Sequence, residues 1–570
     1  MALALKNKIS QYFISQGKFL FTAIIAGFFA LAYPEPGWHV IAWIVPILLL
    51  IMFYNRTTIQ RLKLGFITGF VFWSITLRWL LLNPYKPGAI AGWLALSLYL
   101  SIYMGLWACL SFIFSVDSET ITAHAVQRNR TYRVTLVSMH ILWPLWVACV
   151  WVGLEFIRSK LFSGFPWNSL GVTQYKVLPL IQLASITGVY GISFLMVWFA
   201  AGTMVVLLKI YKYCKKANEC LHSPPSFMFG FNIPGFSALA PVLLPVFAII
   251  VSLAFGFLEI KKFAAQSAES IRFGIVQPSI PQTLIWDATM NSNRFSILLD
   301  LSNRVMKEHP DLLIWPEASF PGMIRYDTNM YVSVSNLVNG TRTWLVLGSD
   351  DAEPCKHIKS KHQADYYNAA FLINTNGEIY QRYCKQRLVV FGEYVPLVDW
   401  LPFLKWLTPI EGGFSPGDGP VIFNTPYVNM GVTICFEDTF ADLCRKSVGE
   451  KIDLLLNLTN NGWFGESSAH WQHLANAIFR AVENRVPLVR CANNGISCWV
   501  DQLGNIRSVL KDNFCNEYGR AVSVFNVQVP KNHPQSFYNK NGDCLAWLCV
   551  GVMSIGAMTY GFRRFKSCKK

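Results

Sequence analysis

The sequence predicts a multi-span α-helical membrane protein that carries one α/β domain. Of its 570 residues, 53% are hydrophobic and only 14% are charged, whereas a soluble domain carries roughly 25% charged residues. Long apolar runs fill residues 1–260 and 544–562, and short strand-like runs fill residues 270–530. We therefore expect a membrane region at 1–260, a globular domain at 270–530 and a C-terminal membrane helix at 544–562.

Eight apolar stretches account for the membrane region. A helix needs about 20 mostly apolar residues to cross a bilayer, and most of the stretches reach that length. They are residues 19–33, 38–53, 64–82, 89–116, 135–156, 178–208, 237–258 and 544–562. The first two are short and are joined by Pro34-Glu35-Pro36-Gly37. The sequence predicts about eight transmembrane helices, seven of them before residue 260.

The positions of the basic residues predict the orientation in the membrane. Lys and Arg number 49 against 33 Asp and Glu, and much of the excess lies in every second loop beside an apolar stretch. These residues are Lys6, Lys8, Lys18, Arg56, Arg61, Lys63, Arg128, Arg130, Arg133, Lys209, Lys212, Lys215, Lys216, Arg563, Arg564, Lys566, Lys569 and Lys570. Basic loops stay in the cytoplasm, so both termini are expected there and residues 270–530 outside it. The excess of positive charge therefore indicates membrane topology, and no nucleic-acid partner is expected.

Residues 270–530 have the pattern of a layered α/β domain. Runs rich in branched and aromatic residues predict strands. They are residues 271–277, 312–315, 344–348, 369–374, 430–434, 453–458 and 487–491. Residues 374–377, Asn-Thr-Asn-Gly, predict a hairpin turn. Residues 470–486 have helical spacing that ends before Pro487, so they are expected to form a helix that packs on the sheet. Strands interleaved with helices indicate packed layers of sheet and helix.

Three segments of this domain put a reactive side chain at or near a strand end. Glu317 follows Trp315-Pro316, Lys385 lies in Tyr383-Cys384-Lys385-Gln386-Arg387, and Cys435 ends the run Gly431-Val432-Thr433-Ile434. Each alone has a simpler interpretation, because loop glutamates and lysines are usually solvated and a cysteine at a strand end is usually structural.

Taken together, the three segments resemble the nitrilase superfamily of carbon–nitrogen hydrolases, whose members carry Glu, Lys and Cys in this order. With membrane spans on both sides, the resemblance narrows to the bacterial apolipoprotein N-acyltransferases. It runs through most of the chain and includes Gly164-Phe165-Pro166-Trp167, Val276-Gln277-Pro278 to Trp286, Trp315-Pro316-Glu317, Phe391-Gly392-Glu393-Tyr394-Val395-Pro396, Thr459-Asn460 to Trp463-Phe464-Gly465, and Asn493-Asn494-Gly495.

The resemblance implies an αββα sandwich and a ping-pong acyl transfer in the bacterial inner membrane, on its periplasmic side. A phospholipid would acylate Cys435, and the thioester would pass to the terminal amine of a diacylglyceryl-modified apolipoprotein. Cys435 suits the nucleophile, Glu317 the general base, and Lys385 the stabiliser of the oxyanion, which would also lower the thiol pKa. No metal or cofactor is implied, and a monomer is expected.

The resemblance also assigns supporting residues. Glu393 and Glu437 match acidic positions that would orient Lys385 or the incoming amine; alternatively, they are surface or helix-capping carboxylates. Aromatic positions near the substrate entrance are matched by Trp286, Trp463 and Phe464, for which plain core packing is the alternative interpretation. The chain departs from the family pattern twice, with Phe436 where tyrosine is common and Asn461 where aspartate is common.

Two other functions remain open at this point. A membrane-tethered nitrilase-type amidase would use the same three residues to release a small product into water. A transporter with an extracytoplasmic binding domain would favour charged or polar residues deep within several spans. Such residues are few, since Arg78 and Glu155 lie near predicted span ends.

Overall fold

A computed structural model of the chain describes residues 17–114, 130–221, 236–285, 287–355, 364–398, 400–408, 413–449, 452–531 and 534–568. Seven long helices come first. They are α1 (Gly17–Ala30), α2 (Ile41–Phe53), α3 (Thr58–Thr76), α4 (Lys86–Leu110), α5 (Arg130–Lys160), α6 (Val189–Leu221) and α7 (Phe236–Ala264).

Two sheets and their helices follow. The strands are β1 (Ala268–Gln277), β2 (Leu312–Ile314), β3 (Trp344–Pro354), β4 (Ala364–Ile373), β5 (Ile379–Cys384), β6 (Ile422–Asn424), β7 (Asn429–Ile434), β8 (Leu454–Thr459), β9 (Leu488–Ala492), β10 (Cys498–Val500), β11 (Ile506–Val509) and β12 (Ala521–Pro530). The helices are α8 (Asn291–Met306), α9 (Thr328–Thr341), α10 (Ala441–Val448), α11 (Ala469–Asn484) and, at the C-terminal end, α12 (Cys544–Cys568).

The membrane character expected from the sequence is confirmed. Among the described residues, five helices are long and apolar enough to cross a membrane, and they belong to α4, α5, α6, α7 and α12. The helices α1 and α2 are apolar but shorter, and α3 has 19 residues that include Arg61 and Lys63. Several basic residues used for the orientation lie outside the described residues or have side chains of which nothing is described, namely Lys6, Lys8, Arg128, Arg130, Arg133, Lys216, Lys569 and Lys570.

The sixth expected span begins later than the apolar run suggests. Residues 178–187 form two short helical turns, Leu178–Ile181 and Ala184–Thr187, and the long helix α6 starts only at Val189. Gly188 has a φ of 65°, a left-handed conformation that a helix does not continue through. Apolar composition alone carries no sign of this break.

The two sheets pack face to face as a sandwich. Each has six strands, in the order β12-β1-β2-β3-β4-β5 and β11-β10-β9-β8-β7-β6. Phe273 and Ile314 of the first sheet share a core with Val432 and Leu456 of the second. The strands β1, β2 and β3 run parallel, as do β7, β8 and β9. Their carboxyl ends therefore bring the loops after β2, β7 and β8 to one edge, where sites form in such sheets.

Helices cover both outer faces, which completes the αββα arrangement. Leu298 of α8 and Val334 of α9 pack against the first sheet. Cys444 of α10 and Ile478 of α11 pack against the second sheet, and the same core cluster includes side chains of the membrane helices. The helix α11 therefore lies between the second sheet and the membrane region, which explains why every residue of it except Trp471 is buried.

Gln472 of α11 joins the two regions through hydrogen bonds. Its Oε1 accepts from the indole nitrogens of Trp79 at 3.2 Å and Trp167 at 3.0 Å, and from Asn168 Nδ2 at 3.1 Å. Its Nε2 donates to the carbonyl of Thr76 at 3.3 Å. The amide oxygen of Gln472 thus accepts from three buried donors of the membrane region and connects that region to the α/β domain.

We expect Gln472→Leu to weaken this junction. The leucine has a similar volume but leaves three buried donors without their acceptor, and each such group costs about 1–3 kcal/mol. The midpoint of thermal unfolding in detergent should fall by at least about 3 °C. The control is Gln528→Leu, which removes one exposed bond to Ser270 and should change the midpoint little. Equal shifts in the two variants would contradict the assignment of Gln472 to the junction.

Candidate active site

Cys435 lies at the end of β7 in a strained turn. The strand ends at Ile434 and a short 3-10 turn, Cys435–Thr439, follows. Cys435 has a φ of 57°, which is uncommon for a residue other than glycine and is often found at functional sites. Asn457 Nδ2 donates to the Cys435 carbonyl at 2.9 Å. The turn thus fixes the thiol at the carboxyl edge of the second sheet.

Glu437 holds this turn and the loop after Lys385 in one place. Its Oε2 accepts from the backbone of Ile434 and from the Tyr383 hydroxyl, both at 2.8 Å. Its Oε1 accepts from the backbone of Gln386 at 2.7 Å and of Arg387 at 2.9 Å. Burial raises the pKa of Glu437 to about 7. Its bonds reach the residues after Lys385 and the residue before Cys435, so it supports the site through the backbone.

Lys385 follows β5 and its ammonium lies between two carboxylates. Lys385 Nζ is 3.1 Å from Glu317 Oε1 and 2.7 Å from Glu393 Oε1. Asn368 Nδ2 donates to the same two oxygens, at 2.8 Å and 2.9 Å. All four side chains are buried. One ammonium and one amide therefore fix the two carboxylates side by side.

Glu317 is also held from the second sheet. It lies in the loop after β2, and the backbone N–H of Asn460, in the loop after β8, donates to its Oε2 at 2.8 Å. Val389 N makes the equivalent bond to Glu393 Oε2 at 2.8 Å. Each carboxylate therefore accepts from both the ammonium and a backbone N–H, which fixes its position, and both act electrostatically on Cys435.

The charges around Cys435 favour the neutral thiol in the resting site. Burial raises the pKa of Cys435 to about 12, the carboxylates of Glu317 and Glu393 add to the rise, and Lys385 opposes it. Burial alone would lower the pKa of Lys385, but Glu317 and Glu393 raise it well above its usual value. Lys385 lowers the thiol pKa, as the sequence led us to expect, but burial and the two carboxylates outweigh this effect. At neutral pH the sulfur of Cys435 therefore keeps its proton unless a base removes it.

The three aromatic residues expected near the substrate entrance have different outcomes in the structure. Trp286 lies outside the described residues. Trp463 is half-buried in the turn after β8, and the ring of Phe464 packs edge-on against Trp79 of the membrane region, 4.5 Å between centroids. The ring centroid of Phe436, the residue after Cys435, lies 5.7 Å from Lys385 Nζ. Phe464 therefore links the loop after β8 to the membrane helices.

Sequence reasoning missed two residues of the cluster. Asn368 lies inside β4, where a polar residue among apolar ones is the one available signal. Asn460 was noted only as part of a motif, and its contribution is a backbone N–H that no side-chain pattern reveals. Among the described residues, no group of three His, Cys, Asp or Glu side chains is arranged to hold a metal ion.

Known families match both regions of the chain. The family described as "Apolipoprotein N-acyltransferase N-terminal domain" matches residues 25–202, and the family "Carbon-nitrogen hydrolase" matches residues 272–517.

Whole proteins match as well. An apolipoprotein N-acyltransferase of Geobacter metallireducens is 34% identical over 551 residues, which is 95% of this chain and 95% of that protein. One of Rickettsia prowazekii is 30% identical over 75% of this chain and 79% of its own. Among solved structures, an amidase from Nesterenkonia sp. is 17% identical, covers 48% of this chain and 92% of its own, and has a TM-score of 0.33.

Proposed function

Because the chain belongs to the apolipoprotein N-acyltransferase family, we propose that this N-acyltransferase moves a fatty acyl chain from a phospholipid to Cys435 and then to the terminal amine of an apolipoprotein. The acceptor amine is that of the diacylglyceryl-modified N-terminal cysteine. The single observation that carries the proposal is the buried cluster of Lys385 between Glu317 and Glu393, which acts electrostatically on Cys435.

The first half of the reaction forms the thioester. Glu317 takes the thiol proton as the sulfur of Cys435 attacks the ester carbonyl of the phospholipid. The carbonyl oxygen becomes an oxyanion, and the Lys385 ammonium stabilises it. The carbon–oxygen bond of the ester then breaks, and the leaving alkoxide takes the proton back from Glu317. The products of this half are an acyl-enzyme and a lysophospholipid.

The second half forms the amide. The neutral amine of the acceptor attacks the thioester carbonyl while Glu317 removes one of its protons, and Lys385 again stabilises the oxyanion. The carbon–sulfur bond breaks and Cys435 regains a proton from Glu317. Glu393 holds Lys385 in position through both halves, since its bond to Nζ does not depend on the substrate.

A membrane frame suits these substrates. Exposing each methylene of an acyl chain to water costs about 0.8 kcal/mol, so the chain is best transferred without leaving the bilayer. The loop between β5 and β6 carries exposed apolar side chains at Leu397, Trp400, Phe403 and Trp406. The Trp406 carbonyl accepts a hydrogen bond from Tyr85, just before α4, at 2.7 Å. These side chains supply an apolar surface beside the membrane region.

Acyl transfer is tested with the purified full-length protein in phospholipid micelles. We expect a diacylglyceryl peptide with a free amine to gain the mass of one acyl chain, with one lysophospholipid formed per acylated peptide. A peptide acetylated at its N-terminus is the control and should not react. Hydrolysis of small amides with no acylated peptide would instead support the membrane-tethered amidase.

We further propose that residues 270–530 form the catalytic domain on the periplasmic side of the inner membrane, between the helices of 1–260 and the helix of 544–562. The pattern of basic loops supports this orientation. Cys515 is exposed in the catalytic domain, and Cys214 is exposed near the end of α6 beside Lys212 and Lys215.

These two cysteines provide matched reporters of topology. In intact spheroplasts we expect a membrane-impermeant maleimide to modify Cys515, whereas Cys214 should react only after permeabilisation. Peptide mass spectrometry distinguishes the two sites in one sample. Labelling of Cys214 and protection of Cys515 would reverse the proposed orientation.

A further inference from the structure

A chain of buried polar side chains runs from α11 toward Cys435 and is not used by the reaction steps above. His473 Nε2 lies 2.7 Å from Asp438 Oδ1, and Arg490 forms an ion pair with the other oxygen of Asp438. On its other side, His473 Nδ1 lies 3.3 Å from the Asn461 side-chain amide. Thr459 Oγ1 lies 3.4 Å from the same amide atom. All five side chains are buried.

The chain ends at the nucleophile. Thr459 is the last residue of β8 and follows Leu458, which pairs with Ile434, the residue before Cys435. The strand register thus places Thr459 beside Cys435, where hydrogen bonding by its hydroxyl lowers the pKa of the thiol. A threonine hydroxyl has a single proton to donate. Thr459 can therefore donate a hydrogen bond either to the sulfur of Cys435 or to Asn461, and only the first would stabilise the thiolate.

The histidine decides the orientation of the Asn461 amide. Arg490 and His473 lower the pKa of Asp438 against the effect of burial, so Asp438 is a carboxylate and His473 Nε2 carries a proton. Burial and Arg490 lower the pKa of His473 despite Asp438 and Glu317, so the ring is neutral and Nδ1 is an acceptor. A neutral Nδ1 needs a donor, which is Asn461 Nδ2.

The orientation with Nδ2 toward His473 also gives a hydrogen-bond partner to a buried donor that otherwise lacks one. With the amide oxygen facing Nδ1, Asn461 Nδ2 is a buried donor that has no partner, and buried donors normally have one. Amide oxygen and nitrogen are assigned from their hydrogen bonds. With Nδ2 in that position, it donates to both His473 Nδ1 and Thr459 Oγ1, and the Thr459 proton is left for sulfur.

We propose that Thr459 donates a hydrogen bond to the sulfur of Cys435 and stabilises its thiolate, and that Asp438, His473 and Asn461 are positioning residues that keep the Thr459 proton directed at sulfur. This inference rests on Cys435 being the nucleophile of the proposed function. It adds a donor from the second sheet to the groups that act on the thiol. No bond is formed or broken in this role, because the hydroxyl keeps its proton throughout.

The test is the pH dependence of Cys435 alkylation by iodoacetamide in the full-length protein, followed by mass spectrometry of the Cys435 peptide. Only the thiolate reacts, and no lipid or acceptor is needed, so the result is separate from the outcome of the transfer assay. Glu317, Lys385 and Glu393 also act on Cys435, and they stay unchanged in every variant compared.

Thr459→Val is expected to raise the apparent pKa of alkylation by about one unit, which is roughly a tenfold lower rate at a fixed pH below that pKa. Thr459→Ser keeps the hydroxyl and should restore the rate. Thr439→Val is the matched control, since that buried hydroxyl donates to the Phe436 carbonyl at 2.7 Å in the same turn, and it should leave the profile unchanged.

Asn461→Asp tests the positioning residues with almost no change of shape. A carboxylate accepts hydrogen bonds only, so it should capture the Thr459 proton and lower the alkylation rate about as much as Thr459→Val does, by roughly tenfold. This variant decides the matter if Thr459→Val fails to fold. A wild-type alkylation profile in Asn461→Asp, or equal effects of Thr459→Val and Thr439→Val, would overturn the proposal.

Discussion

Substitution of Cys435 by alanine is expected to reduce acyl transfer at least about 10⁴-fold, as the loss of a covalent nucleophile does in other enzymes. The methyl group forms no thioester, so the donor and the acceptor would have to react directly. Lys385, Glu317 and Glu393 bond to one another and should keep their positions without the sulfur. The rate is measured as acylated peptide formed per enzyme in phospholipid micelles.

The control for this variant is Cys515→Ala, which removes an exposed thiol of the same domain and should transfer at the wild-type rate. Thermal unfolding of Cys435→Ala should match the wild type or exceed it, because the positive φ of Cys435 is a strain that alanine shares. Transfer by Cys435→Ala at more than about one hundredth of the wild-type rate would contradict a covalent mechanism at this residue.

Glu317→Gln is the variant with the second largest expected effect, a loss of roughly 10³-fold near neutral pH. With a thiol pKa of about 12, only about one sulfur in 10⁵ is ionised at pH 7. The glutamine keeps the shape and an acceptor for Lys385 but accepts no proton. Removing the Glu317 charge also lowers the thiol pKa, which offsets part of the loss.

The pH profile distinguishes the loss of a general base from a structural disturbance of the site. Without a base, the variant reacts only through its thiolate, whose fraction rises tenfold per pH unit while the pH is below the thiol pKa. The rate of acyl-enzyme formation by Glu317→Gln should therefore rise steeply from pH 7 to 9, and the wild-type rate should rise less. The matched control is Glu308→Gln, at an exposed position after α8. Parallel profiles for wild type and Glu317→Gln would contradict the role of Glu317 as a base.

The sequence predicted the layered α/β domain from local signals, and it indicated the candidate site residues through short motifs that resemble those of a known family. Strand-like runs predicted seven of the twelve strands that the described residues form. The hairpin turn at residues 374–377 is confirmed by the pairing of β4 with β5. The structure brings Glu317 and Lys385 into contact. The strand and turn predictions rested on residues close together in the chain, whereas Glu317 and Lys385, 68 residues apart, were brought together only by the resemblance to a known family.

Features that depend on distant partners were not predictable. Gln472 and His473 are neighbours on α11, yet one contacts the membrane region and the other contacts Asp438. Helical spacing predicted that this helix packs on the sheet, which is confirmed, but it indicated none of these individual partners. Asn461 was noted as a departure from the family pattern, but its partner His473 lies 12 residues away. Such pairings arise from how helix and strands pack, and a single sequence does not contain that geometry.

The most direct test of the account is the mass of the Cys435 peptide after the purified protein is mixed with phospholipid alone. The account predicts an increase equal to one fatty acyl chain on Cys435, and loss of that increase when a peptide with a free terminal amine is added. An acyl chain on another residue, or acylated peptide formed while Cys435 never carries an acyl chain, would contradict it.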